Sequence, residues 1–233
     1  MDLPPLQILY EDNHCLAICK PAGVLTTGYT GGEETLDRQV KQYLKEKYQK
    51  PGNVFLGVVH RLDRPATGVL LFARNSKAAA RLAEQFREGQ TTKLYWVLVE
   101  GQMASSRGSF EDWLWKDHMT GYVQVLKQAA PNAKYAKLDY ERLGMTEQVT
   151  WLAVQLHTGR THQIRVQFSS RGHPVWGDQK YGSVIPFPCG IALHARSLTF
   201  LHPIRYEPIT LVAPCPSSWA EGCRLGLDLP HET

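Results

Sequence analysis

Helical periodicity surfaces in only a few isolated stretches of this chain, and the segments between them read as short strands. Leu36, Val40, Leu44 and Tyr48 recur at helical spacing after Thr35, a residue type that caps helices, and Pro51-Gly52 ends the run. A second helix is predicted over about residues 76–88. Ala78, Ala79, Leu82, Ala83 and Phe86 line its apolar face, and Gly89 follows its end. Residues 6–19 are mostly apolar with a polar break at Glu11-Asp12-Asn13, which predicts a hairpin or two short strands. Buried strands are predicted over residues 54–62 and 69–73. Further strands are predicted over 95–99, 122–126, 134–140, 149–156, 193–200 and 209–212. Residues 161–171 fit a short helix capped by Thr161, with Ile164 and Phe168 one turn apart and Gly172 at its end, but they also fit strand alternation. A last short helix is expected from Ser217 or Ser218. Helices inserted singly among strands lack the regular alternation of a doubly wound fold, so the expected class is α+β with an antiparallel or mixed central sheet.

Composition narrows the function. A chain of 233 residues can bury a sizeable core without disulfide staples. Cys15, Cys19, Cys189, Cys215 and Cys223 are odd in number and contain no Cys-x-x-Cys pair, which argues against a disulfide framework or zinc site and for a reduced, cytoplasmic setting. Apolar runs such as 69–73 fall far short of the roughly 20 residues that span a bilayer. The start, Met1-Asp2-Leu3-Pro4-Pro5, lacks the pattern of a signal peptide. The net charge of +4 is mildly basic and compatible with a polyanionic partner. The length suits one large domain or two small lobes, no fixed-period repeat or Ser/Pro-rich linker divides the chain, and a single domain over 1–233 is expected.

Three segments concentrate chemistry. His60-Arg61-Leu62-Asp63-Arg64-Pro65-Ala66-Thr67-Gly68 carries four ionisable side chains out of an apolar run into a tight turn; taken alone, Asp63 reads first as a turn cap. Leu156 to Val166 crowds two Arg, two His and two Thr around a possible helix start, a place that attracts anions or is simply solvated. His157, His162, His173 and Asp178 show no ligand spacing, so no metal is expected. In Lys93-Leu94-Tyr95-Trp96-Val97 the two aromatic residues point to opposite faces of a strand. Core packing suits both, and one is also placed to stack a nucleobase.

Together these segments resemble the RluA-type RNA pseudouridine synthases, over about residues 6–216. His60-Arg61-Leu62-Asp63 through Gly68 is similar to the catalytic motif, and Lys93-Leu94-Tyr95 to the second motif. Thr158 to Val166, with Gly172-His173-Pro174 and Gly177-Asp178, is similar to the third. Lys20-Pro21-Ala22-Gly23 and Leu193-His194-Ala195 also fit. Ala66-Thr67 stands where the family usually has Thr-Ser, and Gln167 where it often has His.

The resemblance implies a mixed, mainly antiparallel central β-sheet with flanking helices and an RNA-binding cleft, and it assigns 161–171 to a helix. No separate N-terminal RNA-binding domain is expected. The implied reaction turns uridine in RNA, ribosomal or transfer RNA above all, into pseudouridine without metal or organic cofactor. The N1–C1′ bond breaks, the uracil turns, and C5 bonds to C1′. Asp63 corresponds to the catalytic carboxylate, which either attacks C1′ or takes a ribose proton. Tyr95 corresponds to the residue that stacks on the target base, and Arg165 to the cation paired with the Asp. Arg61, Arg64 and Arg160 are expected to contact RNA, with Arg61 displacing the uridine. A monomer without membrane partners is expected. The alternatives are a catalytically inactive RNA-binding protein on the same scaffold and a metal-dependent phosphoesterase, which no clustered carboxylates support.

Overall fold

The computed structural model describes residues 3–28, 34–219 and 227. In chain order its strands and α-helices are β1 (Gln7–Glu11), β2 (Cys15–Lys20), α1 (Leu36–Lys47), β3 (Gly57–Val58), β4 (Thr67–Ala73), α2 (Ser76–Arg87), β5 (Thr92–Glu100), β6 (Arg107–Lys116), β7 (Val123–Leu126), β8 (Lys134–Met145), β9 (Val149–Leu156), α3 (Gln163–Ser169), β10 (Leu193–Leu201) and β11 (Pro208–Val212). Mixed, mainly antiparallel sheet structure with three α-helices among the described residues is the expected α+β class. Two compact units divide the chain: Met1–Thr92 with Ala195–Pro214, and Lys93–His194 with Cys215–Thr233. Among the described residues no helix is long and apolar enough to cross a membrane.

In the first unit the strand order is β1-β2-β4-β10, with β11 on β10 and β3 on β4. β1 and β2 form the hairpin expected from residues 6–19. All seven residues of β4 are buried, as a strand covered on both faces requires. Val69 and Leu71 of β4 share a core with Ala78 and Leu82 of α2 and with Leu198 and Phe200 of β10. On α2 the expected apolar face shifts: Ala83 is exposed and Gln85 buried. The Gln85 amide explains this, because it donates to the carbonyl of Leu201 and accepts that residue's N–H, both at 2.9 Å. Leu36, Val40 and Leu44 of α1 are buried as expected, after Thr35 at the N-cap. The glycine-rich 28–32 loop lies outside the described residues, except for Gly28.

The strand expected over 54–62 shrinks to Gly57–Val58, and Phe55 and Val58 are 49% and 39% exposed. Beyond Val58 a ring replaces the ladder. His60 Nε2 accepts the N–H of Leu71 on β4 at 2.9 Å, while its imidazole stacks on Phe86 of α2 at 4.5 Å. The backbone of 60–63 can then turn away from the sheet without leaving the Leu71 N–H unsatisfied.

In the second unit the order is β5-β9-β8-β6-β7, every neighbour antiparallel. β6 was not expected from the sequence. Phe168 of α3 packs edge-on against Phe110 and Tyr140, with ring centroids 5.0 and 5.8 Å away. Trp96 joins a second core around Leu98, Trp151, Trp176 and Trp219. The expected cap at Thr161 is not formed. His162 stands at the N-cap in a left-handed conformation (φ 53°) with no side-chain cap. Instead Gln163 Oε1 accepts the Arg160 N–H at 3.1 Å and the Thr158 hydroxyl at 2.7 Å, knitting the 158–163 loop from inside. Where the last helix is expected, the described residues form a 3-10 turn, Ser217–Trp219, and the rest of the expected segment lies outside them.

Candidate active site

Asp63 sits half-buried at the head of a tight turn whose Ala66 N–H donates to the Asp63 carbonyl at 3.1 Å. The turn is braced from below by Lys20, a fully buried residue at the end of β2. Its ammonium donates to the carbonyls of Pro21, Arg64 and Ala66 at 2.8, 3.0 and 2.9 Å. Three carbonyl dipoles thus converge on one buried cation, which keeps both it and them satisfied. Around Asp63, Thr26 binds the backbone of Leu62, Arg64 Nε donates to the Gly23 carbonyl at 2.9 Å, and Gly23 N–H donates back to the Arg64 carbonyl. The expected RNA contacts Arg61 and Arg64 are both exposed beside Asp63.

Gly68 closes the motif for a steric reason. Its φ is +112°, and a Cβ there would lie 2.3 Å from the Ala195 carbonyl oxygen of β10. Only glycine lets β4 begin this close to its neighbour's backbone.

The other expected site residues belong to the second unit. Tyr95 lies on β5 opposite Val154, and Trp96, its neighbour, is the one that enters a core. Arg165 is buried on α3. Its Nε and one Nη donate to the two carboxylate oxygens of Asp178 at 2.6 and 2.8 Å, and its guanidinium lies 5.0 Å from the Tyr181 ring centroid. Burial pushes the Tyr181 phenol up to about 12, so it stays protonated. That phenol accepts the Val123 N–H at 3.1 Å and bonds His162 Nδ1 at 2.7 Å. Arg160 is exposed and bonds the Tyr135 carbonyl at 2.8 Å.

Sequence reasoning overlooked three supporting residues: Lys20 as the brace, Asp178 as the clamp on Arg165, and Lys93. Lys93 shares a strand face with Tyr95, two residues on. Burial first, and the nearby Arg160 charge second, lower its pKa from the ordinary lysine value. A charged residue closing an apolar run was the available signal for Lys20.

The histidines weighed as metal ligands are engaged otherwise. His157 pairs with Asp139 at 2.6 Å, and His173 bonds the Glu100 carbonyl at 2.9 Å. Asp12, Cys15 and His202 do bring potential ligand atoms within 4.8 Å of one another. Hydrogen bonds occupy the Asp12 and His202 atoms. One Asp12 oxygen accepts the N–H groups of His14 and Cys15 at 2.8 and 2.7 Å, and the other accepts Tyr10, His202 and Arg205. His202 Nδ1 accepts the Arg205 N–H, which places its proton on Nε2, facing Asp12. Burial pushes the Asp12 carboxyl upward, but the bonds from His14, Cys15, Tyr10 and His202 outweigh it and hold the group well below the usual carboxylate range. This cluster locks the β1–β2 hairpin.

A family model described as RNA pseudouridylate synthase matches residues 14–170, a span containing all six expected site residues. The chain is 35% identical over 219 residues to an uncharacterized RNA pseudouridine synthase of Aquifex aeolicus, covering 87% of this chain and 67% of that protein. It is 32% identical to the dual-specificity RNA pseudouridine synthase RluA of Vibrio vulnificus, covering 91% and 86%. It is 33% identical to the ribosomal large subunit pseudouridine synthase C of Buchnera aphidicola, covering 89% and 66%. Among solved structures it resembles human RNA pseudouridylate synthase domain containing 4, with a TM-score of 0.80 at 25% identity over 97% of this chain and 95% of the other. The chain belongs to the RNA pseudouridylate synthase family, isomerases that act on uridine in RNA. It spans about two thirds of the length of the Aquifex and Buchnera relatives.

Proposed function

We propose that this chain isomerises uridines of a ribosomal or transfer RNA to pseudouridine, with Asp63 as the reacting carboxylate. The observation that carries this reading is the family match across the Asp63 turn, β5 and α3 together. Asp63 either bonds C1′ or takes a ribose proton while the N1–C1′ bond breaks; the uracil turns and C5 bonds C1′ as the Asp63–C1′ bond breaks or the ribose proton returns; C5 then loses its proton and N1 gains one. Tyr95 offers a ring face to the uracil, since base–aromatic stacking contributes about 1–3 kcal/mol. Arg165 supplies fixed positive charge that stays protonated when dry. Asp178 holds its Nε and one Nη, which fixes the plane of the guanidinium. Arg61, Arg64 and Arg160 contact RNA, and Arg61 fills the place of the extracted nucleotide, whose unstacking costs a few kcal/mol. The protein works as a cytoplasmic, metal-free monomer.

Pseudouridine mapping in RNA from cells with and without the protein identifies the substrate. That transcript is then treated with purified wild type and Asp63→Asn. Product from wild type and none from a folded Asp63→Asn is expected. No lost site in the cells, or equal product from both proteins, overturns the reading.

A further inference from the structure

On the first unit, α1 presents Arg38, Lys41 and Lys45 in one row, spaced three and four residues apart. Arg38 and Lys45 are exposed, and the Lys41 side chain is 42% exposed with Asp37 3.6 Å from its ammonium. The row borders an open hollow of about 470 Å³ whose opposite wall is Gly52, Asn53 and Val54. Glu34 and Glu46 line a second depression, toward Pro5 and Leu6, which Arg38 also borders, and Glu46 holds the Gln42 amide at 2.5 Å. The lining of the hollow carries three cations, with Asp37 neutralising part of Lys41, and so offers a polyanion a track.

The wall of this hollow leads straight into the Asp63 turn. Asp63 follows Val54 by nine steps along the chain, at most about 30 Å when extended. Between them Phe55 is 49% exposed, an aromatic of the type on which bases stack.

We propose that the Arg38–Lys41–Lys45 row and its hollow seat the phosphate backbone of the RNA that flanks the modified uridine. This rests on the reading of the chain as an RNA-modifying enzyme. It adds a docking surface remote from the reacting groups, which grips the flanking strand and leaves the chemistry to the turn. A backbone contact of this kind positions RNA without reading its sequence.

The test measures affinity for long polyuridylate and for a short oligouridylate across a salt series, with wild type and with Arg38→Ala/Lys41→Ala/Lys45→Ala. Alanine favours helix, so α1 is expected to persist, which circular dichroism checks. For long RNA the slope of log affinity against log salt should become shallower by about 2, since each phosphate contact on a single strand contributes about 0.7. The short oligomer should bind both proteins alike. A Lys77→Ala/Arg87→Ala control, neutral on α2 instead, should keep the wild-type slope. An unchanged slope in the triple variant overturns the proposal, as does an equal loss in the α2 control, which would mark net charge as the cause. A partner other than RNA on this row would give that unchanged slope. Pseudouridine formation by wild type is scored separately. Its absence sinks the functional reading, whereas an unchanged slope with intact turnover sinks only the docking surface.

Discussion

Asp178 grips Arg165 with both carboxylate oxygens, at 2.6 and 2.8 Å, with both side chains almost wholly out of solvent. A cation that would serve a reaction is thereby held in a fixed plane before any RNA arrives. Thirteen residues separate the pair, across the end of α3 and the loop after it, so the clamp ties the helix to the 3-10 turn Gln179–Tyr181.

Breaking that clamp should cost both stability and rate. Asp178→Ala removes the carboxylate from a buried guanidinium, a change that costs about 3–5 kcal/mol. Asp178→Asn keeps the shape and loses the charge, so it should unfold less readily than the alanine variant and still react slowly. A misplacement of about 1 Å costs on the order of a hundredfold. Arg165→Lys cannot span two oxygens and should behave like Asp178→Asn. Urea unfolding and single-turnover pseudouridine formation measure the two effects. A rate for folded Asp178→Asn within about threefold of wild type would remove Asp178 from the positioning of Arg165.

Lys20→Met replaces a buried ammonium by a side chain of similar length and leaves the Pro21, Arg64 and Ala66 carbonyls without their donor. The expected loss is on the order of 3 kcal/mol in urea unfolding. Activity should fall as well, since the Asp63 turn rests on those carbonyls. Stability within about 1 kcal/mol of wild type would mean that the carbonyls find other donors.

Lys93 is expected to give RNA binding a pH dependence. Burial, then Arg160, lowers its pKa, so it loses its charge at a lower pH than an ordinary lysine. The charged form attracts phosphate, so wild-type affinity should decline as pH rises from about 8 to about 10. Lys93→Arg stays protonated across that range and should give a flatter profile. Identical profiles for the two proteins would exclude Lys93 from the RNA surface.

Gly68→Ala and Gly121→Ala separate steric collision from backbone strain. Both glycines have positive φ, but open space surrounds Gly121, whereas a Cβ on Gly68 meets the Ala195 backbone. Gly121→Ala should cost about 1–2 kcal/mol. Gly68→Ala should cost clearly more, or fail to fold. Equal melting temperatures for the two variants would show that β4 and β10 part without penalty.

What could be read in advance followed the reach of local pattern. The hairpin, α1, α2 and most strands were legible, because apolar spacing and punctuating glycines are properties of neighbouring residues. β6 was not: Arg107, Gly108, Glu111 and Asp112 break its apolar signal, and it forms because β7 and β8 pair with it on either side. The missing ladder at 59–62 had the same origin, since a ring on His60 replaced backbone pairing that composition favoured. Among the expected site residues, Asp63, Tyr95 and Arg165 were named through motif resemblance. Their supports Lys20 and Asp178 were named as motif letters but not as a brace and a clamp. Such roles depend on which carbonyls or guanidinium the fold brings to them.

The first unit is written in two instalments. Its sheet lacks β10 and β11 until residues 195–214 have been made, after the Lys93–His194 part of the second unit. During translation β4, buried at every position in the finished protein, has no β10 beside it, and the Asp12 carboxylate waits for His202 and Arg205. Contacts this distant in sequence carry a heavy loop-closure cost and form late. The Asp63 turn therefore belongs to a scaffold completed only after Lys93–His194 has been made, so a nascent chain that already carries Asp63 does not yet have the finished sheet around it.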